Sequence, residues 1–256
     1  KFACILDEVR RGALSDENYQ LLMTRSSQHV SKGELAKFSK ALRIIATNAG
    51  CRATNRQFLQ KVGQHIARID AVHRTGGSEA KNADFKECSL HSSLFLCIGA
   101  RVRLTRTLSL KHGLTNGATG TVHAIIYLPG SSPPDLPAFV VVQFDEVNVP
   151  SCLPDVPDCV ALAPRTHSWL GKVSCSRQQI PLTLGWAITI HKAEGKTLRR
   201  VYIDTQSKTF APEMLYVALT RVKRLKDLVV VPFSKEFVNA LHTIPVFKLR
   251  MFEFQH

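Results

Sequence analysis

Three short runs in the last third of the chain, Trp186–Ile190, Val201–Asp204 and Leu228–Val231, are almost wholly apolar, while the segments between them are not. A strand that is apolar on both alternating faces needs cover on both sides, the condition of a parallel sheet between helices. Pro212 stands where a helix can begin, because a first-turn residue has no helical acceptor for the N–H that proline lacks. Leu215, Ala218, Leu219 and Val222 then form one apolar stripe within Glu213–Lys223. Strand, helix and strand joined by a crossover of about twenty residues imply parallel neighbours and a right-handed connection. The expected fold is α/β, with ligands at the carboxyl ends of the strands, where His191–Thr197 follows the first run.

The first hundred residues carry the same texture. Phe2, Ile5, Leu6 and Val9 recur at helical spacing, and Ser15 is placed to cap a second helix that opens with Asp16 and Glu17. Ala41–Ala46 reads as another strand buried on both faces, stopped by Thr47–Asn48–Ala49–Gly50, with a helix returning over Cys51–Ile66. The polar stretch His73–Lys86 reads as a flexible loop.

From Ile98 the pattern changes. Ala100–Leu104 alternates at period two, Asn116–Gly117 supplies a turn, and Gly120–Val122 and Phe139–Phe144 read as further strands. Short strands separated by turns suggest a small β-barrel inserted into the α/β domain.

Lys and Arg number 34 against 20 Asp and Glu in 256 residues, a formal charge of +14 that suits an anionic partner such as nucleic acid. No stretch supplies the ~20 apolar residues of a membrane helix, and no signal peptide is visible. The chain starts on Lys1 as if cut from something longer. The seven cysteines include no C-x-x-C and no matching His pair, so reduced thiols of an intracellular protein are expected rather than zinc ligands.

Several blocks, in order, resemble the Pif1/RecD-like group of superfamily 1 DNA helicases. Arg177–Leu182 with Gly185–Leu198 (GWAITIHKAEGKTL) resembles that family's motif V and its lead-in, and Tyr216–Val222 (YVALTRV) resembles motif VI. Gly99–Val102 and Leu114–Gly120 resemble the start of the family's SH3-like barrel, and Ala46–Ala49 with Asn55 resembles motif IV. No phosphate loop G-x-x-x-x-G-K-[ST] and no acidic Mg²⁺-binding strand end occur. The resemblance therefore implies the second RecA-like motor domain alone: a parallel sheet with helices on both faces in 1–97 and 179–256, and the barrel in 98–178. It also implies an ATP-dependent 5′→3′ helicase working on single-stranded DNA, nuclear or mitochondrial if eukaryotic. ATP and Mg²⁺ would be held mainly by an absent N-terminal RecA-like domain.

The resemblance assigns roles residue by residue. Arg221 falls at the arginine finger, the group that stabilises γ-phosphate charge in the transition state. Glu194 and Gly195 fall where the family couples nucleotide to DNA. The family commonly has Ser-Gln where this chain has Ala193–Glu194, so Glu194 contacts a sugar hydroxyl or an attacking water, or coupling here is altered. Thr47, Asn48, Thr189, His191 and Lys192 fall on the single-strand path. Arg101, Arg103 and Arg106 either line that path or form a solvated barrel face, and Trp186 reads as core. Two other readings stand beside the helicase: a non-catalytic nucleic-acid-binding module, and a degenerate helicase serving as scaffold.

Overall fold

The computed structural model describes residues 1–206 and 209–240, so the expected segment 179–256 lies outside the described residues at 207–208 and from 241 onward. In chain order the helices and strands begin with α1 (Phe2–Arg11), α2 (Asp16–Met23), α3 (Lys32–Ala36), β1 (Leu42–Ile45) and α4 (Asn48–Lys61). There follow β2 (Ala67–Asp70), α5 (Gly77–Asn82), α6 (Phe85–Cys88), β3 (Ser93–Leu96), β4 (Arg101–Leu104), β5 (Thr119–Ile126) and β6 (Phe139–Phe144). The next are β7 (Cys159–Leu162), β8 (Arg165–Leu170), β9 (Ser174–Gln179) and β10 (Leu182–Leu184). The last are β11 (Ala187–Thr189), α7 (Ile190–Ala193), β12 (Val201–Ile203), α8 (Pro212–Leu219), β13 (Leu228–Val230) and α9 (Lys235–Asn239). Two compact units result, one of residues 1–54 with 186–256 and one of residues 55–185.

The first unit is built on a parallel sheet of order β11-β1-β12-β13. Its strands are apolar on both faces, as expected, because both are covered. Ile44, Ile188, Val201, Ile203, Leu228 and Val230 face a core that also holds Ile5 and Val9 of α1, Leu22 of α2, and Leu215, Ala218 and Leu219 of α8. The opposite face carries Ile45 and Ala187 with Cys51 of α4, and Val229 and Tyr202 with Val30, Leu35 and Phe38. The β13 edge is occupied as well: Val230 N–H donates to Arg25 O at 3.0 Å and Ser27 N–H donates to Val230 O at 2.8 Å. Ser15 and Ser31 cap α2 and α3 through their side chains, and Pro212 opens α8. The chain is thus an α/β protein with a parallel sheet and helices on both faces.

The second unit contains an antiparallel sheet of order β10-β4-β5-β6-β7 and two ribbons, β2-β3 and β8-β9. The expected boundaries at residues 98 and 178 both fall within this unit.

Four local expectations are corrected. Thr47–Gly50 does follow the end of the strand, but as the start of α4 rather than a loop, so the expected helix over Cys51–Ile66 runs instead over Asn48–Lys61: the Gly50 N–H donates to Thr47 Oγ1 at 3.0 Å and the Cys51 N–H to Thr47 O at 3.0 Å. Only glycine suits that first turn, since a Cβ on Gly50 would lie 2.9 Å from Ile45 Cγ2. His73–Lys86 is not simply a loop: it contains α5 and the start of α6. The guanidinium of Arg177, 1% exposed, collects the carbonyls of Ala80 (2.6 Å), Ala83 (2.9 Å) and Leu90 (2.9 Å) and orders that segment. Helix α8 ends at Leu219, short of Lys223. Finally, Ala100–Leu104 is mostly buried rather than half-exposed, because Arg101 folds in to a two-pronged ion pair with Asp145.

Candidate functional site

Parallel pairing of β1 with β11 brings two of the expected DNA segments to one edge of the sheet. Ile45 stands opposite Thr189, and two residues beyond that pair the chain reaches Thr47 on one strand and His191 on the other. Asn48 is exposed at the start of α4, and His191 and Lys192 are exposed on the single turn α7. Four of the five expected residues therefore reach the carboxyl edge of the sheet. Thr189 differs. It is 6% exposed, beneath the edge rather than on it.

The Thr47 hydroxyl accepts from the Gly50 N–H and keeps its own proton for an outside acceptor. The first turn of α4 adds a favourable electrostatic end for an anion. An imidazole, an ammonium and a hydroxyl at one strand edge are suited to a phosphate-bearing strand.

The second constellation joins Arg221 to the segment that follows α7. Arg221 lies two residues past the end of α8, not within the helix. Its Nε donates to Val217 O at 2.8 Å, and its Nη2 donates to Thr220 Oγ1 at 2.7 Å. Its Nη1 faces the carbonyls of Ala193 and Lys196, both at 3.4 Å. The Leu198 N–H in turn donates to Arg221 O at 2.7 Å. Between Ala193 and Lys196 lie Glu194 and Gly195, both exposed. Gly195 has φ +70 with nothing within 4 Å of an added Cβ, so glycine is there for backbone conformation rather than space. The structure thus brings Arg221, Glu194 and Gly195 together.

The remaining basic candidates lie in the second unit and are engaged. Arg101 is 7% exposed and pairs with Asp145, so it belongs to neither a solvated face nor an open path. Arg106 lies 2.7 Å from His167 Nδ1, and burial together with the Arg106 charge pushes the His167 imidazole below its usual range. Trp186 is 6% exposed, as expected of core. The residue that sequence reasoning passed over is Arg177. The only signal was its place in the motif V lead-in, which gives no hint of burial. Among the described residues all seven cysteines are free, no group of three or more His, Cys, Asp or Glu is placed to hold a metal ion, and no helix is long and apolar enough to cross a membrane.

No protein-family model matches the chain. It is 31% identical over 239 residues to the ATP-dependent DNA helicase PIF1 of Homo sapiens, a match that covers 91% of this chain and 33% of that protein. Among solved structures, Pif1 helicase from Bacteroides in complex with ADP-AlF3 and ssDNA superposes with a TM-score of 0.65 at 26% identity, covering 99% of this chain and 53% of that one. A structure describing DNA unwinding at forked dsDNA by two coordinating Pif1 helicases gives 0.65 at 26% identity, covering 99% and 51%. The chain spans about a third of the length of the curated relatives it matches.

Proposed function

We propose, from the premise that this chain is a Pif1-like DNA helicase homologue over about nine tenths of its length, that it is the second RecA-like motor domain of an ATP-dependent helicase. The observation that carries the reading is the contact of Arg221 with the Ala193–Lys196 segment. It joins the residue expected to sense the γ-phosphate to the turn that presents His191 and Lys192. On this reading ATP and Mg²⁺ are held mainly by a first motor domain elsewhere in the protein. When that domain closes, the γ-phosphate oxygens compete with the two carbonyls for the guanidinium. A charged acceptor makes the stronger bond, so Arg221 turns to the phosphate and stabilises the charge that develops during transfer.

Release of Ala193 O and Lys196 O frees the Gly195 turn. The grip of Thr47, Asn48, His191 and Lys192 on the strand then changes with nucleotide state. Thr189 acts from beneath, holding the α7 turn in register rather than touching phosphate. The nucleotide and ssDNA in the Bacteroides Pif1 complex support this pairing of ligands, and the resemblance supports 5′→3′ movement. The antiparallel sheet of the second unit supports reading 98–178 as the SH3-like insertion.

The test is ATP turnover measured with and without oligothymidine, for the isolated chain and for the intact protein. The isolated chain is expected to be inactive and the intact protein to be DNA-stimulated. An intact protein without turnover would move the assignment to the scaffold reading, for which the exposed Glu194 in place of the usual Gln is the supporting observation.

A further inference from the structure

The opposite edge of the parallel sheet carries a second charged surface. Leu42 of β1, Val201 of β12 and Leu228 of β13 stand in register across three adjacent strands. Two residues ahead of each is an exposed cation: Lys40, Arg199 and Lys226. Neighbouring strands lie roughly 4.8 Å apart, and Lys40, Arg199 and Lys226, the last in a 3-10 turn, stand in the three segments that enter the amino edge of the sheet.

Behind these three cations the basic character continues. Arg25 and Arg200 each place a guanidinium 5.9 Å from the ring centroid of Phe38. Arg25 Nε donates to Leu228 O at 3.1 Å, and Arg200 Nη1 donates to Lys37 O at 3.2 Å. Two carboxylates in these segments are already committed. Glu34 pairs with Lys37, whose hydrogen bond and charge hold it below the usual carboxylate range with help from Arg25 and Arg200. Asp227, 7% exposed, pairs with Arg224 at 2.6 Å. The charge balance of the whole chain agrees: 21 of its 34 Lys and Arg, against 11 of its 20 Asp and Glu, lie in 1–54 and 186–256.

We propose that this amino edge is a second nucleic-acid contact, one that takes the phosphate backbone of duplex DNA while the carboxyl edge takes a single strand. The chemistry favours duplex over single strand here. Single-strand sites combine cations with exposed aromatic platforms, and the ring at this edge, Phe38, is 4% exposed beneath its two arginines. What remains is a set of cations able to neutralise phosphates without reading bases. The inference rests on the helicase reading for the identity of its ligand.

The experiment compares the intact protein with two charge-reversal variants of equal net charge. One is K40E/R199E/K226E; the other, K1E/K111E/K172E, changes exposed lysines elsewhere. Binding of a labelled blunt duplex and of a short oligothymidine is measured over a series of salt concentrations. The edge variant should lose about tenfold or more in duplex affinity, and its log–log salt slope should flatten by about 2–3, near 0.9 for each phosphate that is no longer neutralised. Its oligothymidine affinity and melting temperature should stay close to those of the unaltered protein. Equal losses in both variants, or an unchanged salt slope in the edge variant, would overturn the assignment of the edge. If the unaltered protein bound neither probe, the helicase reading itself would fall, and this proposal with it.

Discussion

Arg221 Nη1 lies 3.4 Å from the carbonyl of Ala193, 28 residues earlier in the chain, and Ala193 closes the helical turn that carries His191 and Lys192. In the proposed function this contact sets the residue assigned to nucleotide one backbone segment away from the residues assigned to the strand. On that reading this short path carries a change at the nucleotide to the grip on the strand.

In the proposed function the Thr47 hydroxyl has two tasks, capping α4 and bonding the strand, and both need its oxygen. Thr47→Ala removes the cap on α4 and should cost about 1 kcal/mol of stability together with affinity for oligothymidine. Thr47→Ser keeps the hydroxyl and should keep most of both. Urea unfolding and fluorescence anisotropy on the three proteins measure the two effects.

Arg177→Leu should destabilise the second unit by at least ~3 kcal/mol, because the carbonyls of Ala80, Ala83 and Leu90 lose their donor inside the protein. Arg177→Lys should recover little, since an ammonium cannot span three carbonyls as the planar guanidinium does. Hydrogen exchange should show protection lost first in α5 and α6. Unchanged protection there would mean that the segment is ordered by something else.

Stability should depend on pH through two histidines of the second unit. Burial and the Arg177 charge lower the pKa of His73, and burial and the Arg106 charge lower that of His167. Because each pKa is lower in the folded chain, the unfolded chain takes up protons first as pH falls. Stability from this source is complete above about 6.5, the unfolded value, and declines as pH drops from there toward the folded values. Urea midpoints at pH 7.5 and 5.5 should therefore differ, and H73Q/H167Q should narrow the difference. An unchanged difference in the double variant would assign the pH dependence to other groups.

Glu194 puts a carboxylate in the segment that faces Arg221. If nucleotide phosphate approaches here, Glu194→Gln should lower KM for ATP in the intact protein by about fivefold, the ~1 kcal/mol of a like-charge contact at 4 Å in water. An unaltered KM would place the carboxylate away from the phosphates.

The parallel sheet was legible because Ala41–Ala46, Trp186–Ile190, Val201–Asp204 and Leu228–Val231 are apolar on both faces, a signal carried within each run. The second helix of the first unit was legible because Ser15 caps it locally. What was not legible depends on distant partners. The polar segment that becomes α5 is ordered by Arg177, 97 residues from Ala80, and Arg101 is buried by Asp145, 44 residues away. The helix over Cys51 was legible, but its start at Asn48 was hidden because Thr47–Gly50 has the composition of a turn and only the Thr47 Oγ1 bond shows it to be a cap. At the candidate site, motif spacing marked Thr189 with His191 and Lys192 but could not show that the threonine alone faces inward. Lys40, Arg199 and Lys226 have no sequence signature as a group, since only the pairing of β1, β12 and β13 brings their segments to one edge.

Whether Arg221 couples nucleotide to this domain is tested most directly by DNA-stimulated ATP turnover of the intact protein carrying Arg221→Ala, with oligothymidine affinity and melting temperature measured on the same sample. Turnover should fall by ~10³ or more while affinity and melting temperature stay near those of the unaltered protein, and Arg221→Lys should restore little. Near-normal turnover in Arg221→Ala, or lost DNA binding with turnover intact, would contradict the coupling role of Arg221.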